Sequence, residues 1–160
     1  MDGIIWETEN MSLVAHKKPH VSREEGGHIK IVLKNPISDR TKVDPKIAIE
    51  VMRLSMVAGE AMTLVMEKNG IKLERINYQD NGNWAPMFGR DNVMHVHLYG
   101  RTGAEKIQKR YPSALYFPDP SNEEYYKDFK PITDEDCESI RVEMERIFKE
   151  DKYQDKEWHL

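Results

Sequence analysis

The stretch Val93-Met94-His95-Val96-His97-Leu98-Tyr99-Gly100-Arg101 alternates like a half-buried β-strand. Successive strand side chains point to opposite faces, so His95, His97 and Tyr99 share one face while Val96 and Leu98 share the other. Two imidazoles therefore stand side by side on a sheet. Just upstream, Asn77-Tyr78-Gln79-Asp80-Asn81-Gly82-Asn83-Trp84 and Gly89-Arg90-Asp91-Asn92 are rich in turn residues and hydrogen-bonding groups. That composition suits loops that hold a ligand over a strand.

The rest of the chain reads as scaffold for this surface. Residues 4–7 and 11–15 are short apolar segments around Thr8-Glu9-Asn10, predicting two strands joined by a tight turn. Residues 16–27 are polar, with Pro19 and Gly26-Gly27 as breakers, and predict a loop in which His16 and His20, like His159 near the end, have no supporting pattern. Residues 28–34 alternate again, placing Ile29, Ile31 and Leu33 on one face and His28, Lys30, Val32 and Lys34 on the other.

Asp44-Pro45 is a strong helix start: an aspartate N-cap accepts orphan amides, and proline at the first helical position gives up no needed donor. The helix is expected to run to about Asn69 and stop at Gly70. Ile47, Val51, Leu54, Ala58, Ala61, Met62, Val65 and Met66 form its apolar stripe, extended by Met52 and Met56. Residues 71–78 and 93–100 then predict two further strands. Thr102-x-x-Glu105 has the form of a capping box and predicts a short helix to Arg110, with Lys106, Lys109 and Arg110 as surface cations. Residues 111–131 hold four prolines and several aromatics and should wrap irregularly, packed by their own rings. Thr133 caps a final helix with Ile140, Met144, Ile147 and Phe148 on its buried stripe, followed by a charged, frayed end at residues 151–160.

Composition narrows the function. A chain of 160 residues fits one domain (residues 1–160) with a sizeable core. We divide it into a core of about residues 4–101 and a C-terminal helical extension of about 102–160. No apolar run approaches bilayer length, which argues against a membrane protein. The N-terminus lacks a basic region followed by an apolar core, so a cytoplasmic location is expected. Twenty-four basic and 28 acidic side chains give a net charge of -4, which argues against nucleic acid as a partner but permits a local pocket for one phosphate. The lone Cys137 reads as structural.

His95-Val96-His97-Leu98-Tyr99, entered through Asn92-Val93-Met94, resembles the signature of the histidine triad (HIT) family, in which three histidines alternate with apolar residues on one strand. Tyrosine stands here at the third position. The resemblance extends to the Gly27-His28 strand and to Asn77, and covers roughly the first two-thirds of the chain. It implies an α+β, HIT-like fold: a five-stranded, mainly antiparallel sheet with one long helix, here followed by a C-terminal extension with a helix. The order of predicted elements agrees.

The resemblance also implies an activity. The middle histidine, His97, would attack the α-phosphate of a nucleoside phosphoester, anhydride or phosphoramidate, giving a nucleotidyl-histidine that water or another acceptor resolves. His95 would orient it, His28 would add an imidazole, and Asn77 and Asn92 would contact the nucleotide. Trp84 would stack on a base or anchor its loop. The implied partners are a nucleotide or dinucleoside polyphosphate and a second copy of the chain in a homodimer, with no cofactor. Tyr99 would donate one hydrogen bond where a cationic imidazole stabilises charge better, so a slow hydrolase or nucleotidyl transferase and a noncatalytic nucleotide-binding module both stay open. The imidazoles of His28, His95 and His97 could alternatively hold zinc, although no Asp or Glu spacing supplies outer ligands.

Overall fold

The structure, a computed structural model, describes residues 3–82, 84–108, 115–119 and 121–160. Strands β1 (Gly3–Glu7), β2 (Met11–Ala15), β3 (His28–Leu33), β4 (Arg75–Gln79) and β5 (His95–Arg101) form one antiparallel sheet in the order β1-β2-β3-β5-β4. Thr8 closes the first hairpin, its hydroxyl accepting from the amides of Asn10 and Met11. The helices are α1 (Pro45–Lys68), the single turns α2 (Trp84–Met87) and α3 (Glu123–Tyr126), α4 (Asp134–Ile147), and α5 (Asp155–Trp158). This is the expected α+β arrangement.

Helix α1 covers the sheet face made by Leu13, Ile29, Ile31 and Leu98. Its stripe buries Val51, Leu54, Ala58, Ala61, Met62, Val65 and Met66 as expected, and Val57 besides, whereas Met52 stays exposed. Each fully buried Leu, Val or Met contributes about 1.5–3 kcal/mol of transfer free energy. Asp44 caps the helix by accepting from the Lys46 amide. At the other end, Gly70 in the left-handed region lets its own amide reach Glu67 and that of Ile71 reach Met66, which ends the helix cleanly. Helix α4, started by a full capping box between Thr133 and Asp136, packs Ile140, Met144 and Ile147 against α1 and β1.

Several expectations shift. β4 begins at Arg75 rather than residue 71, and β5 at His95 rather than 93, because the Met94 amide donates to the Ile37 carbonyl instead of joining the ladder. No helix forms at residues 102–108. Gly103 has φ 74°, outside the helical region. Glu105 does accept from the Thr102 amide, but it also pairs with the buried Arg101, and the amides of Lys106, Ile107 and Gln108 are taken by the buried Glu25 carboxylate. The remainder of that predicted helix, with Lys109 and Arg110, lies outside the described residues. So do Tyr111, Pro112 and Pro120 of the wrap, whose described part is packed by Tyr116, Tyr125, Tyr126 and Phe129. The C-terminal end is tied down rather than frayed: Tyr153 is buried and donates to Glu60, Arg53 bonds Asp155, and Trp158 stacks on Tyr153.

One close approach sets the geometry of the other sheet face. A Cβ on Gly100 would lie 2.2 Å from the Gly26 carbonyl oxygen, and one on Gly26 would lie 2.4 Å from the Gly100 carbonyl carbon. Only two bare backbones fit. The contact brings the loop before β3 against the end of β5, with the Gly100 amide bonded to the Gly27 carbonyl.

Candidate active site: a histidine cleft

Opposite residues of neighbouring strands point to the same face. The register pairs His28 with Tyr99, Lys30 with His97, and Val32 with His95, so the predicted imidazoles all rise from the face opposite α1. The loop before β3 then folds back over them. Five of the six histidines gather here: the rings of His16, His20, His28, His95 and His97 lie in contact with one another, and only His159 lies elsewhere.

Beside them opens a cleft of about 660 Å³, the size of a small-molecule site. Its polar floor is His20, His95 and His97; Trp84, Leu115 and Phe117 make apolar walls, and Asn81, Arg90 and Asp91 are at the rim. Of the expected residues, His95, His97 and Trp84 line the cleft. His28 is fully buried behind His97, its Nε2 2.8 Å from His97 Nδ1. Tyr99 is also fully buried, below the floor, with its hydroxyl 3.0 Å from His20 Nδ1. Asn77 sits in mid-strand opposite Tyr99 and Asn92 is exposed; neither lines the cleft. Asn81, four residues beyond Asn77, occupies the place at the rim. The Trp84 ring meets His20 edge-on, 5.1 Å between centroids.

The residue that the sequence did not single out is His20. Its amide donates to His28 Nδ1, its carbonyl accepts from Gln108 Nε2, and its ring packs on Trp84 and Phe117. The only linear hint was the His16-Lys17-Lys18-Pro19-His20 run in a loop closed by Gly26-Gly27.

The hydrogen bonds assign the protons. A backbone amide can only donate, so His28 Nδ1 at 3.2 Å from the His20 amide carries a lone pair, and the neutral ring carries its proton on Nε2. That proton goes to His97 Nδ1, which leaves the His97 proton on Nε2. His95 is the reverse: its Nδ1 donates to the Val93 carbonyl at 2.6 Å, leaving a lone pair on Nε2. Burial, reinforced by the neighbouring histidines and Lys30, lowers the pKa of His20 to about 3 and of His97 to about 2, and holds that of His28 well below the usual range. These rings are neutral near pH 7. Burial also raises the Tyr99 pKa, so its hydroxyl keeps its proton.

His20, His28 and His97 are the one three-ligand cluster among the described residues, with candidate atoms within 4.8 Å of one another. They fit a metal poorly. Two nitrogens bound tetrahedrally at about 2.0–2.1 Å to one zinc stand roughly 3.3 Å apart, whereas His28 Nε2 and His97 Nδ1 are 2.8 Å apart and share a proton. Metal on His28 Nε2 would also force a proton onto Nδ1, facing the His20 amide.

No family model matches the sequence, and no curated protein sequence matches it significantly. Solved structures do match. A hypothetical histidine triad nucleotide-binding protein from Sulfolobus tokodaii strain 7 superposes with a TM-score of 0.58 at 16% identity, covering 93% of this chain and 87% of that one. A zinc-bound histidine triad family protein from Mycobacterium smegmatis gives 0.56 at 17% identity, covering 92% and 86%. A HIT-like protein involved in cell-cycle regulation from Bartonella henselae, solved with an unknown ligand, gives 0.57 at 12% identity, covering 89% and 87%. A five-stranded antiparallel sheet, one long helix across it and histidines rising from the opposite face thus give this chain the HIT-like fold.

Proposed function

We propose that the protein binds a nucleotide in the histidine cleft and acts on its α-phosphate through His97, as a hydrolase or nucleotidyl transferase. The observation that carries this is His97 on the floor of an aromatic-walled cleft, backed at Nδ1 by the buried His28 at 2.8 Å. Apolar walls suit a base, and Arg90 at the rim supplies positive charge.

In the covalent step His97 Nε2 forms a bond to phosphorus while the bond to the leaving group breaks, its electron pair departing with that group. Water then adds to phosphorus, giving a proton to the His95 Nε2 lone pair, and the phosphorus–nitrogen pair returns to His97. A transferase replaces water by another acceptor. The resting proton arrangement slows the first step, since His97 Nε2 carries a proton. Freeing that nitrogen requires both His97 and His28 to change tautomer and the bond from the His20 amide to open. A hydrogen bond lost in a buried site costs about 1–3 kcal/mol, or about 10- to 10²-fold in rate. Turnover is slowed and not forbidden.

The same protons favour a second reading, a noncatalytic nucleotide-binding module in which His97 Nε2–H only donates to phosphate. Incubation with adenosine and guanosine phosphoramidates and dinucleoside polyphosphates, with thermal shift in parallel, separates the outcomes. Turnover supports the enzyme; a nucleotide-induced shift without turnover supports the module. Neither response contradicts both.

A further inference from the structure

The third position of the strand motif holds Tyr99, which is fully buried and does not reach the cleft. Its hydroxyl proton needs an acceptor, because an unpaired buried donor is costly. His20 Nδ1, 3.0 Å away, is that acceptor, because the hydroxyl's other side-chain partner, Asn81, serves it as a donor. The neutral His20 ring therefore carries its proton on Nε2, and the ring lines the cleft beside His97, 5.7 Å between centroids. The His20 amide is fixed by His28, its carbonyl by Gln108, and its ring by Trp84 and Phe117. Gln108 in turn bonds both the amide and the carbonyl of Tyr116, which places Phe117 against the ring.

We infer that His20 supplies the cleft's third imidazole, its Nε2–H donating to the phosphate of the bound nucleotide, and that Tyr99 is a positioning residue that fixes the tautomer and orientation of His20. The inference rests on the nucleotide reading above. The cleft then offers two neutral donors, on His20 and His97, and one acceptor, on His95. An anionic phosphate is met without burying a cation.

Calorimetry with adenosine and adenosine 5′-monophosphate, and with the guanosine pair, tests this through the ratio of monophosphate to nucleoside affinity. In the unaltered protein the ratio should favour the monophosphate. His20→Phe keeps an aromatic ring but loses the donor, and should lower the ratio about 10- to 10²-fold while leaving nucleoside affinity nearly unchanged, the size expected for one bond to a charged group. Tyr99→Phe should lower it by a smaller factor, and the double variant should be no worse than His20→Phe, since both act through one ring. Should His20→Phe fail to fold, Tyr99→Phe alone carries the test. A ratio that favours the monophosphate in the unaltered protein and does not change in either variant overturns the role of His20 and leaves the nucleotide reading standing. No binding of any of the four compounds by the unaltered protein overturns both.

Discussion

His28 is the residue on which the site turns, because it takes a proton bond from one element and passes one to another. It is fully buried, accepts from the His20 amide and donates to His97. Replacing it by alanine leaves a cavity and an unpaired His97 Nδ1, and should cost about 2–4 kcal/mol of stability. Urea unfolding checks this. The depressed pKa values also set a pH dependence. An unfolded chain takes up protons on these imidazoles below about pH 6.5, and the native state does not until about pH 3 for His20 and about pH 2 for His97. The stability tied to them is whole above pH 6.5 and falls as pH drops from 6.5 toward 3, by about 1.4 kcal/mol per pH unit for each imidazole. Melting temperatures should hold from about pH 7.5 to about 6.5 and then fall steadily down to about pH 4.5, and a flat profile throughout would mean that the rings protonate freely in the native state. Zinc or a chelator should leave the melting temperature unchanged, since the His20, His28 and His97 protons oppose metal.

At the level of elements, the Gly26 and Gly100 contact is the most exacting joint. Gly100→Ala drives a methyl into a backbone carbonyl and should destabilise by more than about 2 kcal/mol, with the loop before β3 displaced and His20 with it. The denaturation midpoint and nucleotide affinity should fall together. Thr133→Ala, by contrast, removes one cap and should cost about 1 kcal/mol with affinity unchanged. The legibility of the sequence divides along the same line. Local patterns carried the regular elements: period-two alternation placed His95 and His97 on one face, and Asp44-Pro45 with Gly70 bracketed α1. Long-range folding was invisible. His20 and Glu25 act on residues about 80 positions away, Tyr99 and Lys106 to Gln108, through a loop whose composition says only that it turns. Thr102-x-x-Glu105 misled because its glutamate closes half of a capping box while Gly103 and the Glu25 carboxylate take the backbone elsewhere.

For the molecule as a whole, the sheet leaves β4 as an edge strand, and Met52, Leu64 and Tyr78 are exposed on or beside α1. We infer that this side meets a second copy in a homodimer, since an open edge flanked by apolar side chains pairs readily with itself. Light scattering at micromolar concentration should give twice the chain mass; the mass of one chain would refute it. The proposed chemistry is tested most directly by intact and peptide mass spectrometry after alkaline quench of the protein during incubation with adenosine phosphoramidate. One adenylyl group on the peptide containing His97, absent from His97→Ala, is the predicted result. Turnover with no adduct, or an adduct on any other residue, would contradict it.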